Sequence, residues 1–217
     1  MGSIELIYLP AWREIFQNAI RLMVNHGNMQ TLKSYIKAFS ALHTNVRKGH
    51  KAPHKAVLLL AIMELIEQGE ITSPRIKLSD QLNEMFHTIW SKYIGTSAIF
   101  TPDIGKPFFH LQHETFWKLI DKTEAAAKIQ MAAEPCPFES AIKKKQAFSG
   151  SYTLKSLRES FAYAEIDPLL FKLLQQADHR AVLRTLLIDR YLSNQPTAVM
   201  PDINCLLLAL PFLAVVA

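Results

Sequence analysis

Residues 56–66 constrain the fold of this chain most strongly, because nearly every one of them is apolar. A helix that is apolar around most of its circumference has to be buried on most sides. Pro53 suits the first turn of such a helix, since its missing N–H would have no partner there. Gly69 supplies a typical stop signal. The segment therefore predicts a buried central helix with the rest of the chain packed around it.

Length and composition indicate an ordinary folded protein. The chain has 217 residues, enough to bury a core in one domain, and its 49% hydrophobic and 20% charged composition is not that of a disordered chain. Cys136 and Cys205 match no zinc spacing, which favours a reducing, cytoplasmic location. The apolar stretch 205–217 is short for a membrane span and contains Pro211, so we expect no membrane anchor.

Apolar residues at helical spacing recur on both sides of the central helix. Ser79 is a good N-cap for a helix that would run from Asp80 to Tyr93. Further helices are predicted within residues 1–28, over 32–42, from Ser156 through Ala164, from Pro168 through Leu174, and over 181–191. The chain is therefore mainly helical.

Two segments favour extended structure instead. Residues 107–120 place aromatic and β-branched side chains on either side of a short polar turn, which is typical of a hairpin, and residues 71–78 suggest a short extended connection. Residues 121–150 suggest a surface connection. The predicted fold is mainly α with a small antiparallel β-hairpin, a winged-helix-like α+β arrangement in a single globular domain. We expect this domain to span residues 29–193, with 1–28 as an N-terminal helical extension and 194–217 as an atypical apolar tail.

Basic side chains are concentrated just before the central helix. The net charge of +5 and the pI near 9.2 make a polyanion a plausible partner, and phosphates bind such cationic donors. The candidate DNA-binding residues are Arg47, Lys48, His50, Lys51, His54 and Lys55 at this point of the chain, together with His110 and Lys118 on the predicted hairpin.

No motif in the sequence demands catalysis. The chain has no Gly-rich phosphate loop, no Gly-x-Ser-x-Gly and no His-Glu-x-x-His. His110 and His113 would lie on opposite faces of a strand, and His50 and His54 would share a metal only if the loop between them curled. We therefore predict no catalytic residue, no metal site and no cofactor.

An ordered set of motifs resembles a known family. Residues 51–60, Gly69-Glu70-Ile71, Pro107-Phe108-Phe109-His110-Leu111 and Phe116-Trp117 resemble the N-terminal domain of HNH-type, modification-dependent restriction endonucleases of bacterial defence systems. That domain is similar to the sulfur-binding domain that recognises phosphorothioate-modified DNA, in which sulfur replaces a backbone oxygen. The resemblance covers about residues 29–193.

The resemblance implies a reader of modified double-stranded DNA. By family position, His54, Lys55 and His110 would face the DNA, and His110, Ile166, Pro168 and Leu170 would form an apolar pocket for sulfur. After Leu192 no His-Asn-His arrangement follows. We therefore expect no cleavage by this chain alone. Restriction would need a nuclease partner, and a homodimer is the other assembly left open.

Two alternatives stay open. A divergent metal-dependent nuclease would use His50, His54 or His110, and a cleavage assay with Mg²⁺ would reveal it. A protein-interaction module would use the apolar tail 203–217, and truncation at Ser193 would then abolish assembly.

Overall fold

A computed structural model describes residues 29–96, 99–133 and 151–193. The predicted helix within 1–28 and the tail 194–217 lie outside these ranges. The described α-helices are α1 (Met29–Ser40), α2 (His54–Glu67), α3 (Asp80–Tyr93), α4 (Gly105–His110), α5 (Lys122–Ala133), α6 (Leu154–Ser160), α7 (Pro168–Gln175) and α8 (Ala177–Leu187), and a π-helical turn, Ile188–Leu192, follows α8. The described strands are β1 (Val46–Arg47), β2 (His50–Lys51), β3 (Arg75–Ile76), β4 (Trp117–Asp121) and β5 (Phe161–Ile166).

Helix α2 is the buried centre of the fold, as the sequence predicts. Every residue from Lys55 to Ile66 except Glu64 is buried. The helix packs against α3, α4, α7 and α8. Pro53 is its N-cap residue, and Gly69 follows its end with φ +77°, a left-handed conformation that glycine adopts readily. The long apolar run is thus confirmed as a core helix.

Local capping signals place two of the surrounding helices. The Ser79 hydroxyl accepts a hydrogen bond of 3.1 Å from the Leu82 amide at the start of α3. Helix α7 begins at Pro168, as predicted, and the Asp167 carboxylate accepts a bond of 2.8 Å from the Leu169 amide. Such caps satisfy amides that have no acceptor within the helix.

The sheet corrects the prediction of a hairpin over residues 107–120. Gly105–His110 forms α4 and Leu111–His113 a 3₁₀ turn, so only β4 is extended there. Strand β4 pairs with the distant β5, antiparallel, and the strand order is β3-β5-β4. A short apolar run fits the apolar spacing of a helix and that of a strand equally well. Its packing against the rest of the fold then determines which of the two it forms.

Strand β5 is a second correction, because the apolar spacing predicts that residues 161–164 continue a helix. Ala164 and Ile166 are fully buried on the core side of the sheet, while Glu165 between them is half-buried. Strand β5 pairs with β3 on one edge and with β4 on the other, so its backbone hydrogen bonds go to segments far away in the sequence. The local apolar pattern does not predict these partners. Residues 122–133, predicted as part of a surface connection, form α5. A mainly α fold with small antiparallel sheets is nonetheless confirmed.

Ion pairs connect α8 to the C-terminal end of α2. The Arg184 guanidinium lies 3.2 Å from the Glu64 carboxylate and 2.5 Å from that of Glu67, and Arg180 lies 3.2 Å from Glu67. Hydrogen bonds from Arg184 and Arg180 lower the pKa of Glu67. Throughout the described ranges, no helix is both long and apolar enough for a membrane crossing.

Candidate nucleic-acid interface

The basic residues before α2 lie on a tight hairpin formed by β1 and β2. Val46 pairs with Lys51 and Arg47 with His50. The two turn residues, Lys48 and Gly49, have φ of +48° and +79°, as a two-residue hairpin turn of the I′ kind requires. All residues of this basic hairpin, 46–51, are exposed. The hairpin therefore lies here and not at residues 107–120.

The cations of the basic hairpin are available to an anion. Among the described residues, Arg47, Lys48 and Lys51 have no carboxylate partner. The Lys51 ammonium lies 5.8 Å from the centroid of the Tyr191 ring, a cation–π contact that leaves its charge uncompensated. Four predicted residues, His50 included, are thus brought together on one projection.

Tyr191 fastens the chain that leads into the basic hairpin. Its hydroxyl donates a hydrogen bond of 2.9 Å to the Phe39 carbonyl and accepts one of 3.0 Å from the Leu42 amide. Burial raises the pKa of Tyr191, so the hydroxyl keeps its proton at neutral pH. The Ala52 amide donates a bond of 2.7 Å to the Asn45 carbonyl and closes the hairpin base.

Lys55 does not lie on this surface, although the sequence suggested a phosphate contact. Its side chain is 8% exposed, and its ammonium lies 2.6 Å from the carboxylate of Glu114, whose side chain is 6% exposed. Glu114 also accepts bonds from the His43 amide, 3.0 Å, and the His43 ring, 3.3 Å. Burial raises the pKa of Glu114, but the bonds from Lys55 and His43 outweigh it and hold that pKa below its usual value. The charge of Lys55 is therefore neutralised inside the protein.

His54 is also held by the protein. Its Nε2 lies 2.8 Å from the Thr101 carbonyl, and its ring centroid lies 4.8 Å from that of Trp90 and 5.8 Å from that of Phe100. Lys118, on β4, is exposed and pairs with Glu124 at 2.8 Å. The sequence predicts that both His54 and Lys118 contact DNA. Only Lys118 has an exposed side chain, and its ammonium is paired with Glu124.

His110 and His113 lie on the same side of the chain, contrary to the expectation of opposite strand faces. Their ring centroids are 5.9 Å apart with the planes 18° from parallel, because helical backbone brings residues three apart onto one face. Tyr152 packs 5.1 Å from the His110 ring. Within the described segments, no group of three or more His, Cys, Asp or Glu side chains could hold a metal ion.

Of the three apolar residues expected to receive sulfur, two are buried and one is exposed. Ile166 and Leu170 are both 0% exposed and belong to the core, which corrects their assignment to a surface pocket. Pro168 is exposed, and Leu169, which sequence reasoning left unassigned, is 54% exposed. The accessible apolar surface at the start of α7 therefore consists of Pro168 and Leu169.

That apolar surface is linked to Glu114 through a short stretch of backbone. The Asp167 amide donates a hydrogen bond of 2.9 Å to the Phe116 carbonyl, two residues beyond Glu114. The Phe116 ring lies 5.1 Å from the Phe39 ring in α1. The basic hairpin and the start of α7 are thus both connected to the segment 111–116.

A family model described as ScoMcrA-like, DNA sulfur-binding domain matches residues 32–191, well over half of the chain. The chain belongs to the ScoMcrA-like DNA sulfur-binding domain family. The resemblance inferred from the motifs is thereby confirmed, and DNA is the partner class at the level of the family. No curated protein matches the chain.

A separate cavity of about 250 Å³ lies at the opposite end of β5 from Pro168. Phe108, Leu157 and Phe161 line it together with Lys77 and Arg158. Arg158 is already bonded to the Leu78 carbonyl at 2.6 Å and the Asp80 carboxylate at 2.7 Å. None of the residues predicted to contact DNA or sulfur is among the residues that line this cavity.

We expect the folded chain to lose stability as the pH falls below about 6.5. Burial is the main cause that lowers the pKa of His54, of His110 and of His179. The unfolded chain therefore binds protons that the folded chain does not, so stability is full above the unfolded pKa and is lost as pH falls through the folded pKa values. Urea unfolding between about pH 7.5 and pH 5.5 measures this loss.

The His54→Gln variant should show a smaller loss over that pH range than the wild type. His87, which is exposed on α3, provides the control, and His87→Gln should leave the pH dependence unchanged. A wild-type free energy of unfolding that is flat across the range would contradict the expectation.

Proposed function

We propose that this chain reads phosphorothioate-modified double-stranded DNA. The cations of the basic hairpin would hold backbone phosphates, and the surface of Pro168 and Leu169 would receive the sulfur. The observation that carries the proposal is the exposure of these two apolar side chains in a chain of the DNA sulfur-binding family, on a helix start that is tied to the basic hairpin.

The hairpin supplies the general part of the affinity. Arg47, Lys48 and Lys51 are exposed and lack carboxylate partners among the described residues, so each can replace a counterion on the DNA backbone. Such contacts position a protein on DNA without distinguishing sequences or modifications. Discrimination has to come from another surface.

The start of α7 is suited to that discrimination. Sulfur is larger, more polarisable and less strongly hydrated than oxygen, so contact with apolar side chains favours it. The nearby Asp167 carboxylate is turned to internal partners, the Leu169 amide and the Tyr35 hydroxyl. Burial and then Asp167 raise the pKa of Tyr35 to about 12, so its hydroxyl remains a donor. Two internal hydrogen bonds thus fix the Asp167 side chain at the start of α7.

His110 would contact the DNA as a neutral ring at physiological pH. Burial, His113, Lys55 and Lys106 lower its pKa, in that order of cause. A neutral imidazole still offers one N–H donor to a phosphate or sulfur-bearing linkage. In a restriction system this chain would be the reader, and cutting would belong to a nuclease that acts with it.

The test is an equilibrium titration with duplexes of about 10–12 base pairs that differ only by one backbone sulfur. We expect binding to the sulfur-bearing duplex to be at least about tenfold tighter, and binding to both to weaken with salt. Equal affinity for the two duplexes would refute sulfur reading, and no binding to either would refute DNA binding. Incubation of the same duplexes with Mg²⁺ tests the nuclease alternative.

A variant at the apolar surface sharpens this test. Leu169→Ser should reduce the ratio of the two dissociation constants while affinity for the unmodified duplex stays near that of the wild type. Gln175→Ser, at the other end of α7, is the control and should change neither. An unchanged ratio in Leu169→Ser would remove Leu169 from the sulfur contact.

A further inference from the structure

Glu114 is bonded to both sides of the basic hairpin. The chain enters the hairpin from His43, whose amide and ring bond to the Glu114 carboxylate, and leaves it into α2, where Lys55 bonds to the same carboxylate. We propose that Glu114 is a positioning residue that fixes the basic hairpin relative to the apolar surface of Pro168 and Leu169. The proposal rests on the function proposed above for these two surfaces.

The second half of the connection runs along the backbone from Glu114. Phe116 follows two residues later, and its carbonyl accepts the Asp167 amide at 2.9 Å, immediately before Pro168. The segment 114–116 therefore makes both connections. Its Glu114 side chain bonds to the residues that flank the basic hairpin, and its Phe116 carbonyl bonds to the residue before α7. A shift of residues 114–116 would move the two surfaces relative to each other.

Fold stability alone does not account for a buried ion pair at this place. Apolar residues of similar volume often replace such a pair with no loss of stability, whereas loss of one partner leaves an uncompensated buried charge. The Glu114 carboxylate bonds to His43 and Lys55, which flank the basic hairpin, and its own segment bonds through the Phe116 carbonyl to the residue before α7. Orientation is the property that an apolar replacement would not preserve.

The test replaces both partners at once, in the double variant Lys55→Met with Glu114→Leu. No buried charge is left unpaired, so we expect a folded protein with stability near that of the wild type. The ratio of dissociation constants for the unmodified and the sulfur-bearing duplex should nevertheless fall about tenfold. Arg184→Met, which removes ion pairs at the other end of α2, is the matched control and should keep the wild-type ratio.

Glu114→Asp provides a second variant should the double variant fail to fold. It keeps the charge, but its carboxylate is one methylene shorter and cannot reach His43 and Lys55 with the same backbone position. We expect the sulfur preference to fall here too. A wild-type ratio in either folded variant would overturn the positioning role.

Hydrogen exchange separates this proposal from the proposed function. The amides of His43 and Asp167 are the donors of the two connections, so both should exchange faster in the variants, while amides within α2 should not. If both amides exchange faster in the variants but the wild type binds the two duplexes with equal affinity, the proposed reading function is refuted and the positioning role of Glu114 stands. Unchanged exchange at both amides would refute the positioning role of Glu114.

Discussion

Reversing the charge of the basic hairpin should abolish DNA binding and leave the fold intact. In a variant with Arg47→Glu, Lys48→Glu and Lys51→Glu, we expect the dissociation constant to rise by more than about 100-fold near 0.1 M salt. Each phosphate interaction that is removed reduces the slope of log K against log salt by about 0.9, and the new carboxylates also repel the backbone. Titration at several salt concentrations measures both changes.

The stability of this triple variant should change little. The three side chains are exposed, and the substitutions remove the cation–π interaction of Lys51 with Tyr191, which is worth about 0.5–1 kcal/mol at an exposed site. The urea midpoint should therefore stay near that of the wild type.

A control variant separates the hairpin from net charge. Lys77→Glu, Lys92→Glu and Lys155→Glu change the net charge equally at exposed positions outside the hairpin. We expect this variant to retain most of the affinity at moderate salt, because screening shortens the reach of distant charges. An equal loss of DNA affinity in both variants would show that affinity depends on the net charge of the protein and not on the basic hairpin.

The parts of the fold that the sequence predicts correctly are those whose signals are local. The continuous apolar run of α2, the Ser79 cap and the proline that opens α7 each act within a few residues. The errors concern segments whose structure is decided by distant partners. Strand β5 exists because β3 and β4 pair with it from far along the chain, and residues 107–110 are helical because Pro107 and Phe108 pack into the core on one side.

The candidate site divides in the same way. Arg47, Lys48, His50 and Lys51 are adjacent in sequence, so a local reading finds their cluster. A local reading misses Glu114, because its role depends on Lys55 and His43, which lie 59 and 71 residues away. The sequence does carry a signal for the pairing of Lys55 with Glu114. Lys55 lies in the first turn of a largely apolar helix, and Glu114 lies in an aromatic segment. A charged side chain that is buried in such surroundings requires a partner of opposite charge.

Lys55→Ala should destabilise the fold by about 3–5 kcal/mol, because it leaves the buried Glu114 carboxylate without its closest cation. The sequence alone suggests a different outcome, a uniform weakening of DNA binding through loss of a phosphate interaction. Urea unfolding at neutral pH distinguishes the two. Lys51→Ala is the control from the same stretch of chain, since that exposed lysine should affect DNA affinity and change the free energy of unfolding by less than about 1 kcal/mol.

The pH dependence of the Lys55→Ala effect identifies its cause. The pKa of Glu114 lies below its usual value of 4.5 in the wild type, so the pair contributes its stability above that pH and loses it as pH falls through the lowered pKa. In the variant the carboxylate loses this support and protonates more readily. The difference in unfolding free energy should therefore be largest above about pH 4.5 and shrink below it. A variant as stable as the wild type at neutral pH, but weaker on DNA, would instead make Lys55 a phosphate contact and require its ammonium to leave Glu114 when DNA binds.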